Sequence, residues 1–447
     1  MKKTLNIPPG PKEPRFLGSM KHLSTDLPYY LLKLAREHHP FASFHIGKAL
    51  CVLVNDPVWI EKILVKDASN FVKSRGFQRL KVLLGEGLFT SEGDFHLRQR
   101  RLSQKAFHKC RFEGYQNWMR LYAEEYRDTL KADQKRELSL DMMTLTLRVI
   151  GRTIFDKDLA KEAAGIGASL TEFLEYFPIR MFPGSELLDK VPIPATRHIN
   201  HAKSELDKVI FKVIEERRKD PKDHGDLLSM LMAATDEEGD GTGMSDEHLR
   251  DEIMTTFLAG HETTANALCW TFYLLSCHPH VREKMQAEVD QVLEGRSPSF
   301  EDIPKLQYTK MVFAEAMRLY PPVWLIGRVA QEDYDLAGYE IPKGTTLYTC
   351  PLVTHNDVHY WEEPMAFRPE RHSKEETKKR HRYAYFPFSG GQRLCMGERF
   401  AWVEAVTILA TISREFEMHY EENRPANYSA NLSLRPRHGM PMTVKAR

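Results

Sequence analysis

Phe388, Gly391, Arg393, Cys395 and Gly397 stand in one short run, Phe388-Ser389-Gly390-Gly391-Gln392-Arg393-Leu394-Cys395-Met396-Gly397. It reads as a glycine-rich loop that carries a single thiol to the start of a helix. Small residues let the backbone approach something large and flat. Backbone N–H groups at a helix N-terminus depress a thiol's pKa, so Cys395 is placed to act as a thiolate ligand. Arg393, two residues earlier, can pair with an anion. A second run, Ala259-Gly260-His261-Glu262-Thr263-Thr264, falls inside a segment that is otherwise helical. Gly and Thr are poor mid-helix residues. A hydroxyl bonding back to the helix would distort it there and leave room for a small ligand. Glu315 and Arg318 lie three apart on a helical face, and Phe367-Arg368-Pro369-Glu370-Arg371 follows. His96 and Arg100, four apart, share a face and could clasp a carboxylate.

Together these runs resemble the cytochrome P-450 superfamily. Its cysteine-loop pattern F-x-x-G-x-R-x-C-x-G is met at Phe388, Gly391, Arg393, Cys395 and Gly397, and its [A/G]-G-x-[D/E]-T-T pattern from Ala259 to Thr264. The resemblance implies heme b (iron protoporphyrin IX), with the Cys395 thiolate as iron ligand, and Phe388 near the sulfur tuning the iron's potential. Thiolate ligation favours O–O cleavage. It further implies that Glu262 and Thr263 are an acid–alcohol pair delivering protons during dioxygen activation, with Gly260 and Ala259 lining the oxygen pocket. By the same resemblance His96, Arg100, Arg328 and Arg393 bind the haem propionates. Two buried carboxylates need such partners to offset their desolvation. Glu315, Arg318 and Arg371 match the family's buried structural triad, which holds the cysteine loop. The residue after that arginine is usually aromatic in the family and is His372 here. The four motifs occur in the family's order, so the resemblance covers almost the whole chain from Pro8-Pro9-Gly10-Pro11 onward.

These residues need scaffolding. Ser245 reads as a helix N-cap, with Asp246 and Glu247 in the first turn, where the helix dipole favours negative charge. The helix it opens could run to Cys277, about 50 Å at about 1.5 Å per residue. Such a helix is long enough to cross the whole core. Another helix is expected over about 308–320, stopping at Pro321-Pro322, and a last one over about 397–416. Residues 43–54 read as a strand pair turning near Gly47-Lys48, and 328–349 as short strands. From about 92 to 230 the pattern is helical, broken at Pro178, Pro183 and the Pro192/Pro194 pair. Thr235 to Gly243 reads as a polar loop, and 351–394 shows little periodicity. The expected fold is mainly α with a smaller β-rich region (roughly 40–60 and 328–350), a single haem domain over 1–447 with the long helix crossing the core above the haem.

The 447 residues are 42% hydrophobic, enough for a large core, and carry a formal net charge of +1. No global field argues for nucleic acid or an acidic membrane as partner. Six scattered cysteines (Cys51, Cys110, Cys269, Cys277, Cys350, Cys395) form no CxxC pair, which favours a reducing compartment. No apolar run follows Lys2-Lys3, so no signal peptide or stable membrane anchor is expected. A cytoplasmic monomer is the expectation.

Three apolar segments should shape a substrate pocket by family analogy: Phe77, Leu80, Val82, Leu83 and Leu84; about 173–185, with Phe173, Phe177, Ile179, Met181 and Phe182; and Val323-Trp324-Leu325-Ile326. They point to a lipophilic small-molecule substrate: a fatty acid, terpenoid, steroid or carotenoid. No dinucleotide fingerprint is present, so electrons should come from a separate ferredoxin or flavodoxin with its reductase. Lys374, Lys378, Lys379, Arg380 and Arg382, with Arg101, Lys105 and Lys109, offer basic docking ground for an acidic redox protein. The expected function is a monooxygenase that activates dioxygen with two electrons, hydroxylation being the simplest outcome. A haem-thiolate peroxygenase or isomerase, a non-catalytic haem-binding protein, and a helical protein without haem are the alternatives. The intact Glu262-Thr263 pair argues against the first.

Overall fold

Ser245 accepts the backbone N–H of His248 at 3.2 Å and opens a helix over Asp246–Cys277, which stops where His278-Pro279 begins the next one. The cap, the two acids after it and the terminal proline thus act as the sequence suggests. The structure, a computed structural model, describes residues 5–12, 19, 26–107, 111–156, 193–220, 222–236, 241–421 and 425–447. The chain divides into two compact units: Met1–Gln78 with Met317–Cys395, and Arg79–Ala316 with Met396–Arg447.

The first unit is built on a five-stranded sheet. Phe41–Ile46 pairs antiparallel with Ala49–Val54 around a Gly47-Lys48 turn, as expected. Then come Thr346–Thr349, parallel to the second strand, Ile326–Ala330, and Phe71–Lys73 at the far edge. Val52, Val54, Ile60, Ile63, Ile326, Leu347 and Phe386 pack on it as a buried core. A small hairpin, Tyr334–Leu336 with Tyr339–Ile341, completes the strand-rich stretch. Residues 351–394 form only short helical turns, which is why they show no periodicity.

The second unit is helical around the long helix. From Glu252 to Leu275 that helix is buried on nearly every side. Leu138–Phe155 packs along it, and the Thr146 hydroxyl donates to the His261 carbonyl at 3.0 Å. Glu398–Ser413 is the last helix. This unit also holds strands that sequence periodicity did not reveal. Lys135–Glu137, Pro441–Ala446 and Phe416–His419 form one sheet, and Tyr428–Ala430 with Leu434–Pro436 a hairpin. Apart from Pro441–Ala446, they are too short for alternation to register. At the Pro192/Pro194 pair a new helix starts, Pro194–Lys219, with Pro194 in its first turn, where proline's missing N–H costs nothing. Pro178, Pro183 and Pro192 lie outside the described residues, as does the whole 173–185 segment. The expected polar loop after Thr235 contains a buried acid: Asp236 accepts two hydrogen bonds from Arg101, at 2.8 and 2.7 Å, with Arg98 nearby.

Candidate active site

The cysteine loop is set by backbone bonds. Ser389 N–H donates to Phe386 O at 3.0 Å, Leu394 N–H to Gly391 O at 3.0 Å, and Cys395 N–H to Phe388 O at 3.0 Å. Gly391 has φ +61°, and a Cβ there would run into the Leu64 carbonyl oxygen, so the position requires glycine. The result holds the Cys395 side chain exposed, whereas Cys51, Cys269 and Cys350 are buried. An exposed sulfur on a rigid, backbone-bonded loop is suited to ligate a metal. Helix Glu398–Ser413 starts three residues later.

Support for the loop comes from Arg318, which is fully buried. Its guanidinium donates to the carbonyls of His355 (2.7 Å), Pro364 (2.7 Å) and Ala366 (3.1 Å), and lies over the Trp361 ring. His355, also fully buried, accepts the Phe386 N–H on Nε2 at 2.9 Å. Burial, then the nearby Arg318 charge, pushes the His355 pKa well down, so the ring stays neutral and Nε2 keeps its lone pair. Arg318 and His355 therefore carry a continuous line of bonds to the residue two before Phe388. Arg371 is buried and donates to Glu363 O at 2.8 Å; Glu315 is fully buried. His372 sits against Tyr385 at 4.8 Å and Trp361 at 6.1 Å between ring centroids, filling the place of an aromatic ring.

Arg328 lies on Ile326–Ala330 directly opposite Lys73 of Phe71–Lys73, and both are buried. Like charges facing each other across a strand pair repel. An anion beside them relieves that repulsion, which suits carboxylates such as haem propionates. Sequence reasoning missed Lys73; its one signal was a lysine ending a short apolar strand. Arg393, on the turn before Cys395, is half-buried.

In the second unit, Thr256, Ala259, Gly260 and Thr263 are the open positions of a helix stretch that is otherwise buried from Glu252 to Leu275. They fall at helical spacing and make one strip. The Thr263 hydroxyl donates back to Ala259 O at 2.7 Å, the local bond the sequence led us to expect. Glu262 points the other way and is buried. It accepts a 2.6 Å hydrogen bond from Ser433, which in turn accepts from Asn266 Nδ2 at 3.1 Å. Burial raises the Glu262 pKa, opposed by the Ser433 bond and the Arg435 charge. Glu404, on the last helix beside the Thr264 hydroxyl, is fully buried and pushed well up for the same reason. Ser433 and Glu404 were not found by sequence reasoning. Glu404 alone left a trace there, as an acid in an apolar helix face. His96 is buried and Arg100 half-buried, on Gly93–Gln104.

The pocket segments contract. Leu80, Leu83, Leu84, Trp324 and Ile326 are buried core, leaving Phe77, Val82, Val323 and Leu325 partly open; 173–185 lies outside the described residues. The docking ground also contracts. Arg101 is engaged by Asp236, Arg380 donates to Arg371 O at 2.6 Å and lies over Trp361, and Lys379 pairs with Glu376. Lys109 is outside the described residues. Among the described residues no helix is long and apolar enough to cross a membrane.

The cytochrome P-450 family model matches residues 8–441. Cyclooctatin synthase of Streptomyces melanosporofaciens is 36% identical over 423 residues, covering 93% of this chain and 89% of that protein. Cyclooctat-9-en-7-ol 5-monooxygenase of the same organism is 32% identical, covering 88% and 85%. Pentalenene oxygenase of Streptomyces avermitilis is 31% identical, covering 88% and 87%. The crystal structure of the cytochrome P-450DA heme domain aligns with a TM-score of 0.89 at 27% identity, over 100% of this chain and 99% of that one. Extending from the first prolines to the final strand, this likeness joins the exposed thiol and the open helix strip in one assignment: the chain belongs to the cytochrome P-450 family, enzymes that bind haem through a cysteine thiolate.

Proposed function

We propose that this protein is a haem-thiolate monooxygenase that inserts one atom of dioxygen into a terpenoid substrate. Haem, when bound, supplies the activation of dioxygen and the oxidising power. Cys395 would provide the sulfur ligand, held in place by its three loop bonds. Lys73, Arg328 and Arg393 would neutralise propionate charge, the role the family pattern also gives to His96 and Arg100. Phe388 would pack near the sulfur, and Ala259 would border the space for a diatomic ligand; a Cβ at Gly260 would run into the Ile150 side chain, so that glycine serves the packing of the two helices.

The observation that carries the oxygen-activating reading is the Glu262–Thr263 arrangement. Burial holds a proton on the Glu262 carboxyl to higher pH than an exposed glutamate keeps one. Ser433 fixes that carboxyl in one orientation. Thr263, adjacent in sequence and on the open strip, spends its own proton on Ala259 O and so presents oxygen lone pairs outward. An acid that stores a proton, one residue along the helix from a hydroxyl that can receive and pass one, suits a proton-consuming oxygen cleavage.

The substrate class rests on the relatives, whose names specify pentalenene and cyclooctat-9-en-7-ol, and on the apolar character of Phe77, Val82, Val323 and Leu325. Electrons would come from a separate ferredoxin or flavodoxin with its reductase. The test uses Thr263→Ala with a surrogate reductase. The variant should consume reduced cofactor at a comparable rate but pass its two electrons, with two protons, to dioxygen as released hydrogen peroxide, with product per electron falling on the order of tenfold or more. Unchanged product yield would mean that Thr263 does not pass protons, and would favour the peroxygenase. A Soret titration with terpenoids, fatty acids and steroids tests the substrate class; a spin shift with fatty acids alone would overturn the terpenoid reading.

A further inference from the structure

Far along the first unit's chain from Cys395, three side chains with metal-binding atoms meet. They are His39, just before the first strand, and Asp357 and His359, in the segment after Pro351–Thr354. One ligand atom from each lies within 4.8 Å of the others. The two imidazoles are stacked at 3.9 Å between centroids, 14° from parallel.

Hydrogen bonds fix the proton positions. The Tyr360 hydroxyl donates to Asn55 O at 2.8 Å, so its proton is spent. The 3.1 Å contact between His39 Nε2 and that hydroxyl must then be donated by the histidine. His39 Nδ1 therefore carries a lone pair. His359 Nδ1 lies 2.6 Å from Asp357 Oδ1, and a carboxylate can only accept, so His359 Nε2 carries the other lone pair. Asp357 is oriented from behind: Asn55 Nδ2 donates to its Oδ2 at 2.5 Å, and Asn55 Oδ1 accepts from the Thr354 hydroxyl at 2.8 Å. Metal-ligating carboxylates and histidines are supported by outer partners of this kind.

We infer that His39, Asp357 and His359 form a binding site for a divalent transition cation of the zinc, copper or nickel type. Two imidazoles and one carboxylate select such ions over magnesium or calcium, which prefer all-oxygen sites. Tetrahedral bonds of about 2.0–2.2 Å need ligand atoms about 3.4 Å apart. The present spread closes to that when His359, whose side chain is 55% exposed, turns and exchanges its hydrogen bond to Asp357 for coordination. The exposed side leaves a fourth position for water, so the site would be open and exchangeable. Its cation would tie the residue before the first strand to a segment four residues past His355, the histidine that holds Phe386.

The test is equilibrium dialysis of the haem-loaded full chain, first stripped with a chelator, against micromolar zinc, with bound zinc counted by mass spectrometry. The parent should hold one equivalent more than His359→Gln or His39→Gln, whose affinity for that equivalent should fall at least about tenfold. The Soret band should not move in any of them. His359→Gln alters an exposed side chain, so its folding is not at stake, and the band reports that directly. If the parent takes up no zinc, or both variants take up as much as the parent, the site does not exist.

Discussion

Around the cysteine loop, a chain of side-chain hydrogen bonds reaches the backbone just before it: Arg318 reaches three carbonyls, and His355 takes the Phe386 N–H. Along the long helix, buried acids are undersupplied. Glu262 has the Ser433 hydroxyl, Glu404 the Thr264 hydroxyl beside it, and Glu252 an Oε1 without a partner. The His261 ring, fully buried, donates Nδ1–H to Phe257 O and leaves Nε2 unmatched. Matched polar networks rigidify, whereas undersupplied acids keep protons they would otherwise lose. The first region is thus built to hold one atom still, the second to store and pass protons. If so, substitutions in the two regions should fail differently: loss of assembly in one, loss of coupling with assembly intact in the other.

The sharpest break should come from Arg318→Leu. Three carbonyls would lose their buried donor and His355 its backbone support. Removing one partner from such a network costs on the order of 3–5 kcal/mol. Haem content of the purified protein and its urea midpoint should both collapse. A variant with full haem content would show that the loop does not depend on this arginine.

Next is Glu262→Gln, expected to bind haem normally and unfold at the parental midpoint while product formation per electron falls roughly 10²-fold. Comparable haem loss in this variant would erase the contrast between the regions.

The contrast also explains what could be read from sequence. Phe388 to Gly397 and Ala259 to Thr264 were legible because each function is concentrated in a few consecutive residues. Ser245 was legible because capping is local. Ser433 is 171 residues from Glu262, and His355 is 37 from Arg318; both acquire meaning only through tertiary contact. Lys73 gains its role from the register that sets it opposite Arg328. Asp236 looked like part of a solvated acidic loop, and nothing local foretold that it would be buried against Arg101. The short strands of the second unit were hidden for a related reason, since three or four residues cannot display a period.

Glu252 tests the claim that the long helix stores protons at a cost in stability. Burial, partly offset by a backbone bond from Leu88, raises its pKa to about 8. The folded state therefore binds more protons than the unfolded one above the ordinary glutamate range. Stability must fall as pH rises toward 8 and level off beyond it. Between about pH 6 and about pH 8 this group should remove about 2 kcal/mol from the parent. Glu252→Gln should lose that dependence, so its urea midpoint should drop less over the same interval. Equal drops in parent and variant would show that Glu252 is ionised at pH 6 already.

The smallest effect is expected from Ser433→Ala, and it separates two ways in which Glu262 can act. The serine bond both orients the carboxyl and stabilises its ionised form. Without it the Glu262 pKa should rise further, by an amount set by one hydrogen bond, about 1 kcal/mol. If Glu262 acts mainly as a proton store, the pH limb of product yield should move upward with little change in its plateau. If orientation matters more, the plateau itself should fall several-fold with no shift of the limb. Because the hydroxyl also accepts from Asn266, Asn266→Ala should reproduce a plateau loss but not a shift, since the amide never touches the carboxyl. A limb that moves in Ser433→Ala and stays in Asn266→Ala would place the stored proton on Glu262.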